Sequence, residues 1–577
     1  MRRFISILSA SVFLLGFISS SKASLPSVGD PGKSWSIPID NQLGQHILQF
    51  LDTTPGEPGS DLLPSFAKGT FTDENPTCNS LSDPKCASVE VSYQAVVPFC
   101  KGAADVNCTE DMGVIDSSGK KISGLFSRYF PSKSLDQFVG SPQNYLPSGG
   151  PGSIFSIPQA PHDGGDKYYL SVLMKGYGAA GRGMTMSDFS VKLYPVDLQI
   201  ALDMGHFGEA GYWQMAPGQV GNPTGKSVWT RGGSGTYGNF CVATSLQEKL
   251  CAQRYAFPSQ FQFYVSVRTQ NLPSGWLHGR LASPEIKITK EKNFSTIEIQ
   301  GEPVAVPVVY KMYKYLDMPD VIKSQYDVKT GSYKKDPTFI RNPNSSPGGR
   351  TGANDNPLLR NVIIMPEASS QAGMEQLKVL LPFIEDKATA MLSYWSVRTL
   401  LQEEMQGASQ CFKDTGNVTG IVTTNSTQYS AGPPKFVQSE GTLNYQVAAP
   451  HYTTNKSVFR GTYDLVIRSD VARCIYGFSK APINATLSVT SSDGAPQLAT
   501  TVIGERNGWL YLRAKNFEFS APVIKAKLTQ DVEIAPAEQI KVKAKTKKQT
   551  TITCSKGNEV IRIYGVKPKC PAGYKKK

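Results

Sequence analysis

Most of the chain consists of short stretches in which apolar and polar residues alternate. Apolar side chains occupy every second position from Val89 to Val97 and from Phe261 to Val267. This is the period of a strand with one face in the core, because successive side chains of a strand point to opposite faces. A cluster of Gly and Pro at 147–152 is typical of the turns between such stretches. The pattern therefore predicts a mainly β protein.

One long stretch departs from this alternation and shows the spacing of a helix. Near 370–406, apolar residues recur every three or four positions. The apolar face of this stretch would contain Ile384, Ala388, Met391, Leu392 and Trp395. Pro382 is expected to separate a shorter helix at 374–381, capped near Ser369 or Ser370, from the longer one. We predict a buried helical unit between two β-rich halves.

The length of 577 residues predicts several domains. The expected order is a signal peptide at 1–23, an N-terminal β domain at 24–199, a β-sandwich-like module at 200–300, a connecting region with the buried helix at 301–410, a second β-sandwich-like module at 411–530, a basic linker at 531–550 and a small disulfide-closed basic hairpin at 551–577. The blocks GWLHGR at 275–280 and GWLYLR at 508–513 predict a degenerate internal repeat. Chance similarity between two β-rich segments is the competing explanation.

The first residues have the pattern of a secretory signal. Arg2 and Arg3 precede an apolar run at 4–18, and small residues at Ser21 and Ala23 mark a cleavage site. No later apolar run approaches the roughly 20 residues of a membrane helix. We expect a secreted, extracellular protein without a membrane span.

Ten cysteines are consistent with an oxidising compartment. Pairing of neighbours along the chain gives Cys78 with Cys86, Cys100 with Cys108, Cys241 with Cys251, Cys411 with Cys474, and Cys554 with Cys570. A structural zinc site would favour paired C-x-x-C spacings, which the sequence lacks. The prediction is a set of disulfides that staple the β modules.

Positive charge is concentrated near the end of the chain. Residues 541–577 hold twelve basic residues and one acidic residue, whereas residues 24–540 have a net charge of −1. The expected anchoring residues are Lys541, Lys543, Lys545, Lys547, Lys548, Lys575, Lys576 and Lys577. A near-neutral body argues against nucleic acid and favours an anionic cell-wall polymer or a surface glycan as partner. The competing interpretation is a solvated end that aids solubility.

The stretch TITCSKGNEVIRIYGVKPKCPAGYKKK at 551–577 resembles the Cys-x-Lys-Gly … Pro-x-Cys-Pro-x-Gly-Tyr-Lys-Lys ending of many secreted actinobacterial proteins. The blocks GWLHGRLASPEIKI and DVARCIYGFSKAPINA are similar to long, uncharacterised secreted proteins of the same bacteria. The resemblance implies an exported protein of the Gram-positive type. It implies no catalytic residue.

Few residues suggest a chemical site. Asp203, His206 and Glu209 have a metal-like spacing, but the intervening glycines favour a polar loop, and we predict no metal or cofactor. Trp276 and His278 could line a ligand face, although such a tryptophan is more often a sandwich core residue and such a histidine a hydrogen-bonded residue at a strand end.

The sequence therefore favours a binding or structural protein at the cell surface with no identifiable catalytic site. The alternative is a secreted hydrolase of glycan or cell-wall polymer. Such an enzyme would need two carboxylates about 5–10 Å apart in a cleft.

Overall fold

The structure is a computed structural model. It describes residues 45–52, 59–64, 77–87, 89–132, 137–200, 212–215, 228–231, 241–245, 248, 250–325, 362–364, 366–413, 416–479, 483–490, 496–497, 500–519, 523–530, 550–557, 559–565, 567 and 569–577.

Strands dominate these residues, as the alternating pattern predicts. In the first part of the described chain they are β1 (Gln45–Phe50), β2 (Asp61–Pro64), β3 (Val91–Val96), β4 (Cys108–Ile115), β5 (Lys121–Ser123), β6 (Leu125–Phe130), β7 (Gly152–Ser156), β8 (Lys167–Ala179), β9 (Gly183–Ile200), β10 (Tyr212–Met215), β11 (Val228–Arg231), β12 (Cys241–Ser245), β13 (Leu250–Arg254), β14 (Gln262–Thr269), β15 (Gly275–Arg280), β16 (Ala282–Lys290), β17 (Ser295–Glu302) and β18 (Val304–Lys314). In the second part they are β19 (Val362–Ile364), β20 (Ala390–Thr399), β21 (Val418–Thr424), β22 (Gln428–Tyr429), β23 (Lys435–Val437), β24 (Thr442–Ala448), β25 (Arg460–Arg468), β26 (Asn484–Thr490), β27 (Pro496–Gln497), β28 (Thr500–Arg506), β29 (Trp509–Glu518), β30 (Val523–Thr529), β31 (Thr550–Lys556), β32 (Glu559–Gly565) and β33 (Lys575–Lys576).

The helices of the described residues are short. The α-helices are α1 (Asp320–Gln325), α2 (Gln371–Leu380) and α3 (Ser469–Tyr476), and the 3-10 helices are Pro142–Asn144, Tyr315–Asp317, Leu381–Ile384 and Gln410–Phe412. Within the described ranges, none of them combines the length and the apolar character that crossing a bilayer would require.

Seventeen strands form one branched central sheet, and β20 lies at one of its branch points. The first half of β20 pairs with β18, while its second half lies between β9 and β15. Beyond β15 the sheet continues through β21, β25 and β29 to β28. Beyond β9 it continues through β8 to β3 and β7, and through β13 to β12. Strand β20 therefore joins the two halves of the molecule.

A five-stranded sheet, in the order β16-β17-β14-β4-β5, covers one face of the central sheet. The core between them includes Val172, Val191, Leu277, Ile421 and Trp395 of the central sheet and Val114, Phe263, Val265, Ile297 and Ile299 of the smaller sheet. On the other face of β14, Tyr264 and Ser266 are buried, while Gln262 and Arg268 are half-buried. The sequence predicts one core face for this strand, and Phe263, Val265 and Val267 of that face pack in the core.

A six-stranded sheet, in the order β22-β24-β30-β26-β27 with β23 beside β24, covers the opposite face. Its core includes Trp276, Val422, Leu465 and Leu512 of the central sheet and Leu443, Val447, Leu487 and Ile524 of the covering sheet. Because neighbouring residues of a strand point to opposite faces, a strand between two layers is covered on both of its faces. All seven residues of β21 are accordingly buried.

The predicted long helix after Pro382 is wrong. Residues Ala390–Thr399 form β20 instead, and most of their side chains alternate between buried and half-buried. Glu385 and Asp386, which precede β20, have φ angles of 58° and 48° and lie in a turn rather than a helix. The stretch AMLSYWSVRT is rich in aromatic and β-branched residues, which fit a pleated sheet better than a helix.

The shorter helix of the same stretch is confirmed. Helix α2 begins after Ser370, whose side chain accepts a hydrogen bond from the Gly373 backbone N–H as an N-cap. The Asn-Gly pair at 507–508, between β28 and β29, has φ angles of 52° and 79°. This is the geometry of a type I′ hairpin turn.

Four of the five predicted disulfides are confirmed in full. They are Cys78–Cys86, Cys100–Cys108, Cys411–Cys474 and Cys554–Cys570. Cys251 is also disulfide-bonded, and it lies on β13, which pairs with the strand that carries Cys241. The side chain of Cys241 is outside the described residues.

The proposed domain boundaries and the internal repeat stay predictions. Both GWL blocks lie in the central sheet, where β15 has β20 and β21 as neighbours and β29 has β25 and β28.

Candidate functional site

The basic C-terminal hairpin forms a small sheet of its own. Strand β31 pairs with β32 across a tight turn at Gly557 and with the short strand β33 on its other side. The Cys554–Cys570 disulfide closes this unit, and Cys554 is fully buried. A unit this small has little apolar core, so the cross-link is expected to supply much of its stability. We call residues 550–577 the C-terminal unit.

Cationic side chains cover the C-terminal unit. Those that the structure places on its exposed surface are Lys556, Arg562, Lys567, Lys569, Lys575, Lys576 and Lys577. Lys575, Lys576 and Lys577 are among the predicted anchoring residues. The other four are counted among the basic residues of 541–577 but are not predicted as anchoring residues. The predicted residues at 541–548 lie outside the described residues. The structure thus brings together seven positive charges on one disulfide-closed unit.

Trp276 and His278 lie in the interior, with exposures of 1% and 3%. Trp276 packs edge-on against Phe412, with ring centroids 4.9 Å apart. A Cβ atom at Gly420, its partner on β21, would lie 2.4 Å from the indole ring. This placement favours packing over an exposed ligand face as the role of the two residues.

His278 belongs to a group of buried and half-buried polar side chains between the central sheet and β22. Its members are Asp52, His278, Arg280, Arg398, Glu404 and Tyr429, which we call the buried polar cluster. His278 stacks on Tyr429 with ring centroids 4.0 Å apart. Burial, together with the charges of Arg280 and Arg398, lowers the pKa of His278 well below its usual value. The ring is therefore neutral at physiological pH and contributes mainly through packing.

Glu404 is held at the edge of the buried polar cluster by three hydrogen bonds. Arg398 donates to its two carboxylate oxygens at 2.6 and 2.7 Å, and the Leu401 backbone N–H donates at 2.8 Å. Burial raises the pKa of Glu404, but the hydrogen bonds and charge of Arg398 outweigh this and lower it below the usual value.

We expect Glu404→Gln to lower the free energy of unfolding at pH 7 by about 1.5–3 kcal/mol, since it removes a charged acceptor. A carboxylate whose pKa is lower in the folded than in the unfolded protein stabilises the folded state at any pH above the unfolded pKa. This stabilisation is lost as the pH falls through the folded pKa. The difference in the free energy of unfolding between wild type and variant should therefore shrink below pH 4.5, the ordinary pKa of a glutamate. Urea unfolding at neutral and acidic pH measures it. The exposed neighbour substitution Glu403→Gln should change little at either pH, and a constant Glu404→Gln difference across pH would contradict the prediction.

The metal-like residues Asp203, His206 and Glu209 fall outside the described residues. Within the part of the chain that the structure describes, no group of three or more His, Cys, Asp or Glu side chains is arranged to hold a metal ion.

A groove of about 1460 Å³ opens on the surface, lined mainly by three loops. The first loop is closed by the Cys100–Cys108 disulfide, the second comprises residues 137–151, and the third is the turn 291–294 between β16 and β17. We call it the three-loop groove. Sequence reasoning missed it, although the cysteine pair and the turn cluster at 147–152 each contribute lining residues.

Aromatic and amide side chains line the three-loop groove. The aromatic residues are Phe99, Tyr129, Phe138, Tyr145 and Phe294. The amide residues are Asn79, Asn107, Gln137, Gln143, Gln270 and Asn293. Two lysines, Lys101 and Lys292, are matched in number by two acids, Asp105 and Glu291.

Hydrogen bonds at the base of the groove join its loops. Asn107 Nδ2 donates to Gln270 Oε1 at 2.9 Å, and the Gln270 backbone N–H donates to Asn107 Oδ1 at 2.8 Å. Gln270 Nε2 also donates to the Pro142 carbonyl at 3.1 Å, which links the first loop to the second. Arg268 Nη1 donates to the Gly102 carbonyl at 2.9 Å. These contacts hold the loops in a defined arrangement.

Comparison of the chain with family models, curated proteins and solved structures finds no match in any of the three.

Proposed function

We propose that this is an extracellular binding protein of the cell surface, held to an anionic polymer of the envelope by its C-terminal unit. The observation that supports this most is the set of seven exposed cationic side chains at 556–577. The opposing charge on this unit comes from one acid, Glu559. The disulfides of the body are typical of proteins that work outside the cytoplasm.

The distribution of charge confines this attachment to the C-terminal end of the chain. Since the rest of the mature chain is close to neutral, its attraction to a polyanion would act mainly through the C-terminal end. Lysines near an anionic surface each contribute on the order of 1 kcal/mol. Exposed charges of this kind are screened by salt, because the Debye length falls from about 10 Å at 0.1 M to about 3 Å at 1 M. The body would remain free to contact a second ligand.

Removal of three terminal charges should weaken attachment. We expect joint substitution of Lys575, Lys576 and Lys577 by glutamine to reduce the affinity for isolated Gram-positive cell walls by roughly 10- to 100-fold at low salt. Wild-type protein should pellet with the walls and be released as NaCl is raised. Sedimentation over a salt series measures both effects.

The matched control replaces three exposed lysines of the body, Lys120, Lys378 and Lys413, by glutamine. It has the same change of net charge and should sediment like the wild type. If both triple variants lose attachment equally, net charge rather than the C-terminal unit is responsible. If attachment is insensitive to salt and to both variants, the body itself recognises the wall. If wild-type protein does not pellet, surface association is wrong.

A further inference from the structure

We propose that the three-loop groove binds a neutral oligosaccharide. This inference concerns a second ligand of the body and stands independently of the attachment proposed for the C-terminal unit.

The size of the groove favours a segment of a chain over a small metabolite. Pockets for small molecules usually have volumes of about 300–1,000 Å³, whereas this groove has about 1460 Å³. Its walls come from three separate loops, so it is wide and open along the surface. An extended sugar chain can lie in such a groove with several rings in contact at once.

The aromatic side chains provide flat apolar surfaces for sugar rings. Tyr145 is 47% exposed and lies on the second loop, while Phe294 lies half-buried on the turn 291–294. Phe99 is held by a stacked Phe126, with ring centroids 5.3 Å apart, and an edge-on Phe155 at 5.5 Å. Aromatic side chains have an electron-rich face, which suits the C–H groups of a pyranose ring. The positions of these rings make stacking the expected main source of affinity.

The polar groups of the groove suit hydroxyl and acetamido groups better than charges. The amide side chains of Asn79, Gln137 and Asn293 are exposed, and each offers both a donor and an acceptor. The two lysines and the two acids cancel in charge. Asp105 is already engaged, since its Oδ2 accepts from the backbone N–H groups of Lys101 and Gly102 at 2.7 and 2.8 Å. A balanced site of this kind gives an anionic polymer no electrostatic advantage.

The groove is also organised before any ligand arrives. The Cys100–Cys108 disulfide closes the first loop, and the Asn107–Gln270 pair fixes it to the neighbouring strand. The guanidinium of Arg268 lies 5.3 Å from the Phe294 ring centroid and holds the turn beside the first loop. A site that is already ordered loses less conformational entropy on binding, which favours weak polar ligands such as sugars.

The test uses the full-length mature protein and three linear β-linked hexasaccharides of comparable length. Two are neutral, built from glucose and from N-acetylglucosamine, and one is an anionic hexauronate. Isothermal titration calorimetry should show a Kd below about 1 mM for at least one neutral hexasaccharide. Binding should be unchanged between about 50 and 500 mM NaCl, because a neutral ligand is not subject to screening. The hexauronate should bind more weakly.

Tyr145→Ala should weaken the interaction by roughly tenfold, as expected for loss of one stacked ring. Tyr177→Ala is the matched control, since Tyr177 is 58% exposed and does not line the groove, and it should change the Kd less than twofold. Phe294→Ala provides a second groove variant on a different loop. The proposal is overturned if neither neutral hexasaccharide binds, if the hexauronate binds more tightly, or if binding survives both groove substitutions. None of these results depends on wall attachment by the C-terminal unit.

Discussion

Replacing Arg280 by leucine should lower the free energy of unfolding by about 3–5 kcal/mol, the usual cost of breaking a buried ion pair by removing one partner. Arg280 is 2% exposed, and its Nε donates to Asp52 Oδ2 at 2.5 Å. Its Nη1 donates to the carbonyls of Thr424 and Ser426 at 2.8 and 2.6 Å. Leucine would leave the carboxylate and both carbonyls without these donors. Urea unfolding of both proteins at pH 7 measures the loss.

The pKa of Asp52 provides a second readout for the same substitution. Burial raises this pKa, but Arg280 and the more distant Arg398 outweigh it, so the pKa lies below its usual value. Without Arg280 the Asp52 pKa should rise, which titration followed by NMR would detect. A fall in the pKa, or no change, would contradict the role assigned to Arg280.

His278→Phe is the matched control for Arg280. His278 lies two residues earlier on the same strand face, and its Nε2 has no hydrogen-bond partner among the described residues. Phenylalanine keeps a ring against Tyr429 and removes a buried polar atom, so we expect a change within about 1 kcal/mol. If the two substitutions destabilise equally, packing of β15 rather than the ion pair accounts for the effect.

The strands of this protein could be predicted where the signal is local. Alternation at 89–97 and the Asn507-Gly508 pair depend on side-chain direction and on φ angles at a few neighbouring residues. The N-cap at Ser370 is equally local. Such signals do not depend on what the element packs against.

The stretch 390–399 shows why the period of an apolar pattern is sometimes ambiguous. Met391 and Trp395 fit a helical face, but Ala390, Leu392 and Tyr394 fit a strand equally well. The neighbouring strands determine that this segment forms a strand, because β9, β15 and β18 offer backbone hydrogen bonds along its whole length. These neighbours are up to about 200 residues away in sequence, so no local pattern reveals them.

The three-loop groove depends on long-range contacts in the same way. Asn107 and Gln270 bond each other although 163 positions separate them, so their amides look unremarkable in the sequence. The C-terminal unit is the opposite case, because its charges and its disulfide all lie within 551–577. Sequence reasoning therefore located the cationic surface and missed the groove.

Loss of the Cys411–Cys474 disulfide should also have a large effect. We expect the double substitution to alanine to lower the free energy of unfolding by about 4 kcal/mol, from the entropy that the denatured chain regains when a long loop is opened. The bridge spans 63 positions and joins the 3-10 helix Gln410–Phe412 to α3. It therefore restrains every segment from β21 to β25 in the denatured chain.

The Cys78–Cys86 bridge is the control, because it closes a span of only eight positions. Its double alanine variant should lose about 2–3 kcal/mol, since loop-closure entropy grows with the logarithm of loop length. Urea unfolding of wild type and both variants under non-reducing conditions compares the three. A greater loss for Cys78–Cys86 would mean that native-state packing around the bridges, rather than restriction of the denatured chain, sets their contribution. If the Cys411–Cys474 variant loses more stability, the longer bridge stabilises the protein by limiting how far the denatured chain from β21 to β25 can expand.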